Sequence, residues 1–311
     1  MSTVAVIAHS GKTFGGGIGE LRDLLDAAGV TDPLWYEVAK SKQAPDCARD
    51  AVEKGAGLVF VWGGDGTVQR CVDALAGSDV DLAILPAGTA NLLATNLGIP
   101  QDLPAAVAIG LHGDRRSLDT GTLNGEHFAV MAGAGLDALM IRDADGGMKD
   151  RLGRAAYLWT GARNLSASPV KARIKVDGRK VYSGTVTCVL VGNVGSVFGG
   201  LELFEGSRPD DGLLEVGIVT AKSRTQWART VGRVVLGRAE KSPFVTTSRG
   251  RKIRVRFDRA VACEVDGGDR PDTEKLRITV RPGSIRICVP SSGGDLTSDS
   301  ATKTGTSEPA S

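Results

Sequence analysis

The strongest constraint on the fold is the alternation of period in the first third of the chain. Four apolar runs, VAVIA (4–8), LWYEVA (34–39), LVFVW (58–62) and DLAILP (81–86), are separated by stretches such as ELRDLLDAAG, DCARDAVEKG and TVQRCVDALAG. The runs have the length and uniform apolarity of buried strands, whereas the stretches between them repeat apolar residues at helical spacing. Strands and helices in this order predict an open parallel sheet with helices on both faces, and ligands of such sheets sit at the carboxyl ends of the strands.

From about Ser117 the texture changes. RSLDTGTLNGEHFAVMAG, VKARIKVDGRKVYSGTVTCVLVGN, LLEVGIVTA, KIRVRF, VACEVDGG, KLRITV and SIRICVP alternate or are β-rich, and turn pairs such as Asn124-Gly125 and Asp177-Gly178 break them. Two helical segments interrupt them, around 151–164 and 224–236. With 311 residues and 41% hydrophobic content, the chain can bury two cores. The expected organisation is a three-layer α/β domain over residues 1–118, a mainly antiparallel β-sandwich over 119–290, and a tail, 291–311, almost without large apolar residues and expected to be disordered.

The 38 basic and 36 acidic residues leave a formal charge of +2, which demands no nucleic acid, and none is expected as a partner. The cysteines, Cys47, Cys71, Cys188, Cys263 and Cys288, are odd in number and never spaced as CxxC, pointing to a reducing intracellular compartment. The first apolar run, 4–8, is too short for a signal peptide and lacks a basic start. No stretch approaches the roughly 20 apolar residues of a membrane span. Work on a membrane would therefore be done from its surface.

The chemistry concentrates at VFVWGGDGTVQR, residues 59–70. A glycine turn between strand and helix lets backbone amides approach phosphate oxygens, and the helix N-terminus adds positive potential. Asp65, set among Gly63, Gly64 and Gly66, could hold a magnesium ion, orient an acceptor hydroxyl or take its proton; equally, it could do no more than cap the next helix. GGDG alone leaves these readings even. SGKT at 10–13 is no P-loop, since Val6 stands where that motif needs glycine, and GGGIG at 15–19 matches GxGxxG poorly. ILPAGTANLLATNLGIP, 84–100, supplies a second glycine turn after a strand, with Gly88, Thr89 and Asn91. Glycine turns at successive strand ends would flank one crevice.

At these residues the chain resembles the diacylglycerol kinase catalytic family, the bacterial lipid kinases related to sphingosine and ceramide kinases. GGDGT (63–67) is shared with NAD kinases, whereas PAGTANLLA (86–94) is closer to the lipid kinases. LDTG (118–121), GRAAYL (153–158), VGNVGSVFGG (191–200), PDDGLLEV (209–216) and VDGG (265–268) follow in the family's order. The resemblance implies a nucleotide-binding α/β domain and a β-sandwich with the active site in the cleft between them. It implies that Gly63, Gly64, Asp65, Gly66, Thr67, Val68, Gln69 and Arg70 border the ATP phosphates. Gly11, Lys12, Gly88, Thr89 and Asn91 would complete the nucleotide site, with Asp65 as the central acid. Asp211, with main-chain oxygens of Arg208 and Leu213, would match a structural magnesium site, although the residues alone read as a plain hairpin turn.

The chain also departs from the pattern. Ile7, Ala8 and His9 stand where the family often has an asparagine-proline pair, and the threonines often found after the second strand are absent from EVAKSKQ. Where the family usually reads Asp-Gly-Glu, with the glutamate as general base, this chain has Asp266, Gly267 and Gly268. Asp269 is the candidate replacement, or Asp65 acts alone. The expectation is an ATP- and Mg2+-dependent lipid kinase of phospholipid metabolism, cytoplasmic and peripheral at the inner membrane face, phosphorylating diacylglycerol first among lipids. A soluble NAD-kinase-like enzyme and a non-catalytic nucleotide or lipid sensor are the alternatives, and a homodimer is left open.

Residues 221–241 place Trp227, Val231 and Leu236 among Arg224, Arg229, Arg233 and Arg238, as in a basic amphipathic helix on an anionic bilayer. SRGRKIRVRF, 248–257, puts Arg254 and Arg256 on one strand face. Either segment could instead pack its apolar side on the sandwich. His9, His112 and His127 are isolated and are assigned no role.

Overall fold

The computed structural model describes residues 3–135, 169–197 and 201–291. The helix expected around 151–164, the GRAAYL segment, residues 198–200 and the tail from 292 lie outside the described residues.

The first unit runs β1 (Thr3–His9), α1 (Gly17–Ala27), β2 (Leu34–Val38), α2 (Ala44–Glu53), β3 (Ala56–Gly63), α3 (Asp65–Leu75), β4 (Asp81–Pro86), α4 (Leu92–Asn96) and α5 (Leu103–His112). The strands pair in parallel in the order β4-β3-β1-β2. In β3 almost every side chain is buried, because helices cover both faces of the sheet and leave no polar side to alternate with. α1 packs with α5 and α2 with α3.

The second unit begins with β5 (Asp114–Leu123), β6 (Glu126–Phe128) and β7 (Met131–Ala134). It continues through β8 (Val170–Val176), β9 (Arg179–Val186), β10 (Cys188–Gly192), β11 (Ser196–Val197), β12 (Leu201–Glu202) and β13 (Leu214–Val219). After α6 (Arg224–Val235), β14 (Val245–Gly250), β15 (Lys252–Val265) and β16 (Gly268–Val289) complete it. The strands are antiparallel in the order β14-β13-β10-β7-β15-β16, with β8 and β9 joined to β15. In β8, Val170, Ala172, Ile174 and Val176 are buried and the residues between them exposed, the period-2 signature of a sheet with one wet face. Those side chains share a core with Phe128, Leu214, Ile253 and Leu276.

The two units share one mixed sheet through β16. Its first half pairs with β15, but residues 285–289 lie antiparallel to β5, and Arg286 and Ile287 pair in parallel with β4. Ile285, Ile287 and Cys288 are buried in the same core as Phe60 and Leu82. The boundary expected at 118/119 falls inside β5, and the chain's last strand returns to the first sheet.

α6 starts with a capping box between Ser223 and Gln226. Its apolar face is covered by protein rather than bilayer: Trp227 and Val231 are buried in the main core. Leu236, just past its end, is 71% exposed. Among the described residues no helix is long and apolar enough to cross a membrane.

Candidate active site

The two glycine turns leave the carboxyl ends of β3 and β4 side by side, where Gly63 pairs with Pro86 and the Ala87 N–H donates to the Gly63 carbonyl at 2.9 Å. Their backbones touch. A Cβ on Gly88 would stand 2.6 Å from the Cα of Gly64, and one on Gly64 would stand 3.1 Å from the Cα of Gly88. At Gly88 the distance excludes a side chain, and at Gly64 a methyl would fit only if the facing turn gave way slightly, so the glycines are what let the two turns touch. Asn91 closes the second turn from a left-handed conformation (φ 46°): its Oδ1 accepts from Gly88 N–H at 2.9 Å and its Nδ2 donates to the Gly88 carbonyl at 2.8 Å. Thr89 is exposed in the turn so formed.

Asp65 opens α3, with Gly64 as its N-cap, and its Oδ1 accepts the Leu92 N–H at 2.5 Å. One carboxylate therefore sits at the starts of α3 and α4 together. Burial pushes its pKa up, opposed by backbone N–H groups of Leu92, Asn91 and Asp65 itself and by the charge of Lys12. Lys12 and Gly11 follow β1, the neighbour of β3, in a turn closed by Lys12 N–H on the His9 carbonyl at 3.0 Å. A groove beside them is lined by Ser10, Lys12, Thr13 and the Gly15–Gly17 run. The Gly16 N–H at the start of α1 is already held by the Glu20 carboxylate at 2.6 Å.

The structure thus gathers Gly11, Lys12, Gly63 to Gly66 and Gly88 to Asn91 at the carboxyl ends of three neighbouring strands. Within α3 the side chains divide. Gly66 is exposed; Thr67 is buried with its Oγ1 3.0 Å from Ser41 Oγ; Val68 is in the core. Gln69 is buried and donates to Glu126 Oε1 at 3.2 Å and to the His127 carbonyl at 2.9 Å. Val68 and Gln69 can therefore reach a ligand at the loop only through main chain, whereas Arg70 is half-buried.

The β15–β16 turn lies near enough to the glycine turns for the charge of Asp65 to act on Asp266. Asp266, buried at φ 44°, accepts N–H groups from Ala129, Val130 and Met131 at 2.9, 3.0 and 2.8 Å. Burial pushes its pKa up to about 7 against the pull of those three amides, and the negative charge of Asp65 adds to the rise. The next position, Gly267, is exposed, and at Gly268 a Cβ would stand 2.8 Å from Arg270 Nη1. Asp269 is exposed, and its carbonyl accepts from Arg270 Nη1 at 2.9 Å. Arg270 forms a two-pronged ion pair with Glu126, Nε to Oε2 at 2.6 Å and Nη2 to Oε1, and also donates to Gln69 Oε1 at 3.2 Å. This three-residue lattice ties α3 to β6 and the β15–β16 turn.

The third segment, 208–213, forms its own turn. Asp211 is exposed and its Oδ1 accepts the Leu213 N–H at 2.9 Å. The Arg116 guanidinium, with help from Arg208, holds the Asp210 carboxyl below the usual range. Buried Asp119 accepts from Gly212 N–H at 2.6 Å and Gly283 N–H at 2.8 Å, so this turn is anchored to β5 and β16. Among the described residues no three His, Cys, Asp or Glu side chains cluster as a metal site. The motifs of the sequence assign Glu126, Arg270 and Asp119 no role. The LDTG string contains Asp119, but nothing local marks Glu126 and Arg270, which meet only in the fold.

Residues 3–123 match the family described as the diacylglycerol kinase catalytic domain, and residues 130–289 match that described as the YegS C-terminal NAD kinase beta sandwich-like domain. A Pseudomonas fluorescens protein named "Probable lipid kinase YegS-like" is 30% identical over 82% of this chain and 85% of its own length. A Mycobacterium tuberculosis protein named diacylglycerol kinase is 32% identical over 66% of this chain and 68% of its own. Among solved structures, a Bacillus anthracis protein titled a diacylglycerol kinase superposes with a TM-score of 0.72 at 22% identity, covering 92% of this chain and 96% of that one. An Archaeoglobus fulgidus NAD kinase in complex with ATP gives 0.52 at 10% identity over 92% and 93%. At these identities the structural likenesses speak for the fold.

Proposed function

The chain belongs to the diacylglycerol kinase family of YegS-like lipid kinases, and on that footing we propose that it transfers the γ-phosphoryl group of ATP to a lipid hydroxyl, with diacylglycerol as acceptor and phosphatidic acid as product. The observation that carries this reading is the contact of Gly64 with Gly88 around Asp65. Two glycine turns, the start of α3 and the Lys12 cation lie side by side where a triphosphate would bind, beside one carboxylate whose raised pKa suits it to take a proton. Phosphoryl transfer depends chiefly on positioning and charge neutralisation, and this set supplies both.

In this reading Asp65 is the base or orients the acceptor hydroxyl. Asp266 is a fixed anchor, since both its oxygens are taken up by backbone N–H groups. Asp269 is the second candidate base because it is exposed on the cleft turn. Magnesium would neutralise phosphate charge during transfer. A structural cation at the 208–213 turn would use the oxygen of Asp211 left by Leu213 N–H, completing its shell with main-chain oxygens of Arg208 and Leu213 and water. The enzyme would act at the inner face of the membrane.

The test is transfer of labelled γ-phosphate from Mg-ATP by the purified chain. Diacylglycerol, monoacylglycerol, sphingosine and ceramide in mixed micelles would be run beside NAD. Labelled phosphatidic acid, lost with Asp65→Asn, is the expected result. A labelled NAD product would move the chain to the soluble alternative. ATP binding without any labelled product, or full activity in Asp65→Asn, would overturn a kinase mechanism centred on Asp65.

A further inference from the structure

The outer face of the β9-β8-β15-β16 sheet carries cations in register. Lys175 lies opposite Lys180 on one side and Arg254 on the other, and Arg254 lies opposite Arg277. Two residues along, Arg256 stands between Arg173 and Lys275. All seven are exposed, while their strand neighbours Ile174, Ile253, Val255 and Leu276 are buried beneath. At strand and residue spacings of about 4.8 and 3.3 Å, these charges occupy a patch on the order of 14 by 7 Å.

Like charges directly opposite on neighbouring strands are unfavourable, and this face has five such pairs. Among the described residues no carboxylate lies within ion-pair distance of any of the seven. The acids at its rim, Asp177 and Asp258, accept backbone N–H groups of Arg251, Lys252 and Lys171. A net charge of +2 for the whole chain makes this concentration local rather than a property of the composition. An array of exposed cations with no carboxylate partner is complementary to an extended anionic surface.

We infer that this face docks the chain on an anionic lipid bilayer. The choice of a bilayer over another polyanion rests on the lipid-kinase reading and on the residues that surround the charges. None of the seven charged positions is interleaved with an aromatic side chain on which bases could stack. β15 joins the array at 254–256 to the cleft turn at Asp266, so docking and catalysis share one strand. The same face would repel a second copy of itself.

The test is co-sedimentation of the full chain with vesicles of phosphatidylcholine alone and of phosphatidylcholine with phosphatidylserine. The variant is Lys175→Gln/Arg254→Gln/Arg256→Gln/Arg277→Gln, whose exposed side chains leave the core untouched. Each cation near an anionic leaflet is worth about fivefold in partitioning, so the variant is expected to bind phosphatidylserine vesicles at least about 100-fold more weakly. Salt should weaken the parent in the same direction. Turnover on micellar lipid is expected to stay at the parent level. Equal binding of parent and variant, no preference for phosphatidylserine, or tighter binding to duplex DNA than to vesicles would each overturn the docking assignment. Vesicle binding lost in the variant, together with absent turnover in the parent, would leave docking standing and remove the kinase reading.

Discussion

Asp266 gives the sharpest physical test, because two opposing forces act on one carboxyl. Three backbone N–H groups favour its ionised form, and complete burial disfavours it. Burial prevails, taking the pKa to about 7 from an ordinary value of 3.8. A carboxyl whose folded pKa is raised contributes stability that is fully present below the unfolded pKa and is lost as pH rises through the folded one. A rise of roughly three units corresponds to about 4 kcal/mol in all, of which about 2–3 kcal/mol falls between pH 5 and pH 8. Asp266→Asn cannot titrate, and its amide sets an N–H against the Ala129 N–H, so it is less stable than the parent at pH 5 by more than one hydrogen bond's worth. The measurement is urea unfolding of both proteins at a series of pH values, which cancels every other titrating group in the difference. The parent's advantage over Asp266→Asn should shrink by about 2–3 kcal/mol on going from pH 5 to pH 8, a midpoint change on the order of 1 M urea. A difference that is flat or grows with pH would show that the three amides outweigh burial, and the reasoning would fail.

Gly88→Ala places a methyl 2.6 Å from the Cα of Gly64 and should separate the two turns. Nucleotide affinity, read by isothermal titration, is expected to fall more than tenfold while unfolding shifts by about 1–3 kcal/mol. Arg270→Ala leaves Glu126 partly buried without its cation, at a cost of about 1–3 kcal/mol in unfolding free energy, measured by urea denaturation. Burial alone would raise the Glu126 pKa, but Arg270 and Gln69 bring it below the usual value, so this contribution is present near neutrality and disappears on acidification. Asp65→Asn should lower kcat about 10²- to 10⁴-fold. The acid limb of the parent's kcat/KM profile should lie above the ordinary carboxylate range, in line with the raised Asp65 pKa.

Features set by local chain chemistry are legible in the sequence. The buried parallel strands announce themselves as short apolar runs, and the turns at 63–67 and 86–91 as glycines between a strand and a helix. What the sequence hides depends on partners far away in the chain. Residues 276–289 read as ordinary β-structure, and nothing in their alternation says that Ile287 belongs beside Leu82. Trp227 and Val231 have the spacing of a bilayer-facing stripe, but a protein core asks for the same spacing, and here the core has them. Asp266 has the residue type and φ of a turn, yet its side chain organises the 129–131 backbone. Gln69 sits in a motif read as phosphate-binding, but its amide faces Glu126 and Arg270.

The position of the final strand also bears on how the chain is made. Residues 285–289 lie between β4 and β5, with Arg286 pairing with Asp81 both in register and by an ion pair at 2.7 Å. On the ribosome β4 therefore emerges with an open edge, and Leu118 waits for Ile285. At about 5–20 residues per second that interval is on the order of ten to thirty seconds. Throughout it, the first half of the chain is a nascent sheet missing an interior strand, exposed to chaperones and to pairing with other chains, and almost all of the chain has been synthesised before the glycine turns rest on a finished scaffold.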